Sequence, residues 1–168
     1  FAAAREVAMP VASGILIICL TFMPLLTLQG LEGKLFVPVA LTICEDIWYA
    51  EPVRQAREAG ARLMLSLNAS PFHLDKQRER EEVLAVRARE GGMPIVYVNQ
   101  VGGQGELVFD GGSCVVDANG SIRQRAPGFA EGLHPVDLLV EGGRLSPRQA
   151  SCAPLPGLEA SVYQALVV

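Results

Sequence analysis

FVPVALTICEDIWYAEPVRQAREAGARLMLSLNASPFHLDKQREREEVLAVRAREGGMPIVYV, residues 36–98, alternates short apolar runs with longer charged ones. Residues 36–43 are continuous, rich in Val and Ile, and too short for a helix, so they read as a buried strand. Pro52 then opens a short helix that Gly60 stops, the asymmetry expected of a residue without an N–H and one without a side chain. Residues 63–67 give a second buried strand and 68–73 a polar turn. The spacing predicts the strongest helix over 75–90, with Asp75 capping the first turn, Arg78 and Glu82 paired, and Val83, Leu84 and Val86 supplying apolar contact. Gly91-Gly92 ends it, and residues 94–98 form a third buried strand. Strand, helix, strand, helix, strand implies right-handed crossovers and a mainly parallel sheet.

Beyond residue 98 the pattern changes. Short strands are expected at 106–109, 113–117 and 121–125, the last two joined by Asn119-Gly120, a strong tight-hairpin signal. Residues 134–140 give one more strand. Residues 142–157, with their Pro, Gly and Ser, read as a linker, and 158–168 as a helix. Gly102-Gly103-Gln104-Gly105 follows a strand but leads into another strand, which argues against a phosphate-binding loop.

The 168 residues suit one domain, and half of them are apolar, the mixture of a globular protein. The net charge of −4 comes without a basic stripe, so nothing points to nucleic acid. Four scattered cysteines (Cys19, Cys44, Cys114, Cys152) and two distant histidines (His73, His134) offer neither metal-ligand spacing nor a disulfide framework. Reduced thiols, hence the cytoplasm, follow. Residues 1–34 are atypical: 7–29 are uncharged and 14–28 nearly all apolar, close to a bilayer span. Pro10 and Pro24 interrupt a continuous helix, and no small-residue cleavage site follows, so the expectation is against a membrane segment.

Cys44 closes the first strand and is followed by Glu45, Asp46 and the only tryptophan, Trp48. A nucleophile on a strand-to-helix turn is held by a rigid sheet, exposed at its tip, and near free backbone N–H groups that favour a thiolate and an oxyanion. A buried structural cysteine explains the position equally well.

Three segments break that tie. VALTICEDIW (39–48), LSLNASPFHLDKQRERE (65–81) and PIVYVNQVGGQGELVFDGGS (94–113) together resemble the nitrilase superfamily of carbon–nitrogen hydrolases, specifically the amidase domain of glutamine-dependent NAD synthetases. The resemblance covers roughly 37–140 and implies an α/β fold, the nitrilase-type α-β-β-α sandwich, of which this chain would supply the C-terminal portion. Residues 35–141 would belong to that domain, and LEASVYQALVV (158–168) resembles the first helix of the synthetase domain.

The implied chemistry is a glutamate–lysine–cysteine mechanism. Cys44 attacks the side-chain amide of L-glutamine, a thioester forms as ammonia leaves, and water releases glutamate. The backbone N–H of Glu45 helps to bind the tetrahedral oxygen, while Ser70 and Lys76 hold the substrate. Asn99, Asp110 and Ser113 need only turn and scaffold roles. The implied partners are a synthetase domain and further copies of the chain. ATP and magnesium belong to that synthetase domain, and no cofactor to these residues.

Two departures qualify the match. The family's catalytic glutamate and lysine lie upstream in other motifs, and neither Glu6 nor Lys34 has those surroundings. Gly105 replaces a usual acidic residue, a tolerated loop change. The chain alone is therefore expected to be inactive. A non-catalytic remnant and an amidase for another amide are the alternatives; the first is favoured by the missing pair and the second opposed by the synthetase-like tail. A papain-type pairing of His73 with Cys44 is the weaker chemistry, since a turn histidine is usually just exposed.

Overall fold

The computed structural model describes residues 39–168. The apolar head at 1–34 therefore lies outside the described residues, as do Glu6, Cys19 and Lys34.

A five-stranded sheet organises the fold. Its order is β1 (Val39–Ile43), β2 (Leu63–Asn68), β3 (Ile95–Asn99), β6 (Cys114–Val116) and β7 (Ile122–Arg125). The first three strands are parallel, with Ile43 opposite Leu67 and Asn68 opposite Asn99. They are joined through a 3₁₀ turn (Cys44–Trp48), α1 (Ala50–Glu58) and α2 (Lys76–Gly91). β6 and β7 are antiparallel, as a two-sided hairpin must be, and the turn between them places Gly120 at φ +89°. That is the left-handed backbone for which the Asn-Gly signal selects.

One face of the sheet makes the core. Met64, Ile95, Tyr97, Cys114 and Val116 pack against Ile47, Val53, Leu84 and Ala88 from the turn and the two helices. Side chains alternate across a strand, so Leu41, Ile43, Leu67 and Val98 point to the other face, where they are exposed. Parallel strands are ordinarily covered on both faces. In an α-β-β-α sandwich this apolar face is the one that meets a second sheet.

Several local expectations change. α1 begins two residues before Pro52, which still sits in the first turn, where its missing N–H costs nothing. Asp75 gives α2 no side-chain cap; it adopts φ +61° and its carbonyl accepts from the N–H groups of Arg78 and Glu79. Among the described residues Arg78 and Glu82 form no ion pair. α2 instead salt-bridges Lys76 to Glu79 and Arg87 to Glu90. Val86 is exposed and Ala88 takes the inner position, because Leu84 and Ala88 are one turn apart on the buried side.

Glycines 102 and 103 fall inside a strand, β4 (Val101–Gln104), paired with β5 (Leu107–Asp110). The stretch read as a linker at 142–157 is more ordered than expected. β8 (Leu138–Glu141) pairs with β9 (Arg144–Pro147), and residue 152 then bridges Arg125 in parallel, through Arg125 N–H to the Ser151 carbonyl at 3.1 Å and Ala153 N–H to the Arg125 carbonyl at 3.0 Å. The final helix, α3, spans Leu158–Val167 as expected.

Candidate active site

The parallel register brings the carboxyl ends of β1, β2 and β3 to one edge of the sheet, where ligand clefts of open α/β sheets form. Cys44 stands just past the end of β1 with φ +52°, a left-handed backbone that a residue with a Cβ enters only under constraint. Three features hold it there. Ile43 donates its N–H to Asp46 Oδ2 at 3.2 Å; the 3₁₀ turn follows at once; and Ile47, 1% exposed, anchors that turn in the core. Cys44 itself is exposed.

A cleft of about 630 Å³ opens at this edge, lined by Cys44, Glu45, Trp48, Tyr49, residues 68–71, Lys76 and Glu79. The structure thus gathers all four residues that the sequence marks: Cys44, Glu45, Ser70 and Lys76. Lys76 Nζ lies 4.0 Å from the centroid of the Trp48 ring and 2.9 Å from Glu79 Oε2. A cation over an indole face is held by the ring quadrupole, and the hydrogen bond from Lys76 keeps the Glu79 carboxyl below its ordinary range. Trp48, Tyr49 and Glu79 are cleft residues that the sequence reading missed. Trp48, four residues after the cysteine on a short turn, carried the only usable signal.

Ser70 is fixed by a buried polar network. Its N–H donates to Asn99 Oδ1 at 2.8 Å, and Asn99 Nδ2 donates back to the Ser70 carbonyl at 3.3 Å and to the Gly111 carbonyl at 3.0 Å. Ser113 Oγ accepts the Asn99 N–H at 3.0 Å. Arg80, 1% exposed, fills the gap beneath. Its Nε donates to Ser70 Oγ at 3.1 Å, Nη2 to the carbonyls of Ser70 and Pro71, and both terminal nitrogens to Asp110 at 2.7 and 2.9 Å. A buried guanidinium is tolerable only when its donors are matched in this way. The scaffold roles expected for Asn99, Asp110 and Ser113 are therefore specific ones: they hold the Ser70 loop. Arg80 was not singled out by sequence.

His73 does not line this cleft; its ring faces the Leu74 carbonyl and Glu79, and it borders a separate cavity with Phe72 and Phe129. Cys114 lies in the core, and burial pushes its thiol up to about 12. Among the described residues there is no group of three His, Cys, Asp or Glu side chains placed to hold a metal ion, and no helix long and apolar enough to cross a membrane.

Residues 20–144 match the carbon-nitrogen hydrolase family model, and the chain belongs to that family. It is 42% identical over 131 residues to the glutamine-dependent NAD(+) synthetase of Xylella fastidiosa, covering 78% of this chain and 24% of that protein. It is 46% identical over 101 residues to the enzyme of the same name from Aquifex aeolicus, covering 60% and 18%. Among solved structures it resembles the glutamine-dependent NAD+ synthetase of Acinetobacter baumannii in complex with ADP, with a TM-score of 0.70, 38% identity, and coverage of 77% of this chain and 24% of that one. The carbon-nitrogen hydrolase of Helicobacter pylori G27 aligns with a TM-score of 0.51 and 27% identity over 55% of this chain and 37% of that one. The fold is thus of the nitrilase type. The chain spans about a quarter of the length of the synthetases it matches.

Proposed function

We propose that this chain carries the nucleophile-bearing part of a glutamine amidohydrolase domain that supplies ammonia to a synthetase domain for the amidation of deamido-NAD. The observation that carries the reading is the convergence of Cys44, Ser70 and Lys76 on one cleft at the carboxyl edge of the parallel strands. The Cys44 thiolate adds to the side-chain carbonyl of glutamine, the C–N bond breaks as ammonia leaves with a proton, and water cleaves the thioester to glutamate and thiol. The N–H of Glu45 faces the developing oxyanion, and the Lys76 ammonium pairs with the substrate α-carboxylate. Free thiols at Cys44, Cys114 and Cys152 suit a reducing cytoplasm. Residues 158–168 open the synthetase domain, in which ATP and magnesium would act.

Lys76 is the only lysine among the described residues, and it is engaged with Glu79 and Trp48. The described residues thus supply a nucleophile and a binding site, while the family's glutamate base and its lysine must come from elsewhere. This favours, as the second reading for the isolated chain, a non-catalytic piece of the domain. Each missing proton transfer is worth about 10²–10⁴-fold in rate, so the chain alone should release negligible ammonia from glutamine. Joined to the complete N-terminal half of a family member, it should turn over, and Cys44→Ala should abolish that turnover. Robust Cys44-dependent activity of the chain alone would show that a local residue replaces the missing pair. A folded but inactive chimera would instead favour the non-catalytic reading.

A further inference from the structure

We propose that Glu79 completes the substrate site: its carboxylate receives the α-ammonium of the amino acid while Lys76 receives the α-carboxylate, so that the cleft selects free α-amino acids. This rests on the glutamine site proposed above and names how that site recognises the substrate's head. A zwitterionic α-amino acid presents opposite charges on neighbouring atoms. A Lys76–Glu79 pair 2.9 Å apart on the first turn of α2 presents the matching pattern in reverse.

Three observations favour this over an ordinary surface ion pair. Both side chains line the same cleft as Cys44. Lys76 is 16% exposed, its ammonium seated on Trp48, so it is a fixed charge rather than a solvated one. Glu79 is half-exposed, and its contacts with Lys76 and His73 both use Oε2. Oε1 takes no hydrogen bond among the described residues and is available to an incoming donor.

Reach also fits. The 3₁₀ turn rises about 2 Å per residue, which separates the Cys44 and Trp48 backbones by about 8 Å along the turn. Lys76 sits over Trp48. A glutamine side chain whose amide carbon meets the thiol would extend its α-carbon toward that end, with Trp48, Tyr49 and Pro71 beside its methylenes.

The test uses the 168-residue chain and two chloroketones that alkylate Cys44 by displacement of chloride, a step that needs no protein acid or base. One is the glutamine-shaped 2-amino-5-chloro-4-oxopentanoate; the other, 5-chloro-4-oxopentanoate, lacks only the α-amino group. Modification of Cys44 is followed by mass spectrometry, and each rate is taken relative to iodoacetamide on the same variant. The expected result is that the unmodified chain saturates with the amino probe at a concentration roughly ten- to a hundredfold lower than with the other, the worth of one charged hydrogen bond. Glu79→Gln should erase that preference by weakening only the amino probe, Glu79→Asp should restore part of it, and Lys76→Met should weaken both probes. Equal weakening of both probes by Glu79→Gln would overturn the proposal, because Glu79 would then act only through Lys76. So would an amino preference that survives Glu79→Gln. Both of those outcomes leave the glutamine site standing. If the unmodified chain shows no saturation with the amino probe and no protection by L-glutamine, the glutamine site itself fails, and the proposal with it.

Discussion

Truncating Arg80 to alanine removes the guanidinium that joins α2 to β5 and to the Ser70 loop. The Arg80 and Asp110 side chains are 1% and 9% exposed, and the pair is bidentate at 2.7 and 2.9 Å. Breaking such a pair strands a buried carboxylate, at a typical cost of about 3–5 kcal/mol. For a protein of this size each kcal/mol lowers the melting temperature by about 2–4 °C, so Arg80→Ala should melt roughly 6–20 °C earlier by circular dichroism. Replacing both partners, Arg80→Met with Asp110→Leu, removes the stranded charge. What remains unmet is the Pro71 carbonyl, a neutral acceptor worth about 1 kcal/mol, since the Ser70 carbonyl keeps Asn99 Nδ2; the half-buried Ser70 Oγ and Gln77 Oε1 each lose one donor. The double variant should therefore recover more than half of the loss. A loss below about 1 kcal/mol in the single variant, or a double variant no better than the single one, would refute the reasoning.

Two further outcomes follow from the thiols. Limited iodoacetamide treatment near neutral pH should label Cys44 first and Cys114 last, since Cys44 is exposed on its turn and Cys114 is 2% exposed; preferential labelling of Cys114 or Cys152 in mass-spectrometric mapping would contradict this. Burial raises the Cys114 thiol from an ordinary 9.0, and the Tyr97 phenol from 10.0, each to about 12. Protons leave the unfolded chain first, so this stability is complete below about pH 9 and is lost as pH rises toward 12. The melting temperature should fall over that window, and the fall should be shallower in Cys114→Ala; equal slopes in the two proteins would exclude Cys114 as a contributor.

The parts of the fold that could be read along the chain are those whose cause is local. Apolar runs in β1, β2 and β3, the glycine stops after α1 and α2, and Asn119-Gly120 at the β6–β7 turn each depend on backbone preferences within a few residues. Cys44 was legible for the same reason, because a strand that ends in a polar turn exposes its last side chain wherever the strand is placed. Reading failed where a local signal was weak. Two glycines concealed β4, and prolines and serines concealed β9, since a short edge hairpin owes its pairing to its partner more than to its own composition.

Within KQREREE, at 76–82, the sequence shows an undifferentiated run of charge at the start of a helix. The resemblance marks Lys76, but nothing in the run says that Glu79 faces the same cleft, that Arg80 is buried on Asp110 thirty residues on, or that Glu81 meets Arg125 forty-four residues on. The hundred-degree rotation per residue sends these neighbours to different surroundings, and only the packing of α2 across the sheet decides which face each one meets. The sequence by itself determined the three parallel strands and marked Cys44 as the residue at the end of the first. The tertiary structure decided which charges surround the cleft, because burial and pairing are properties of residues far apart in the chain.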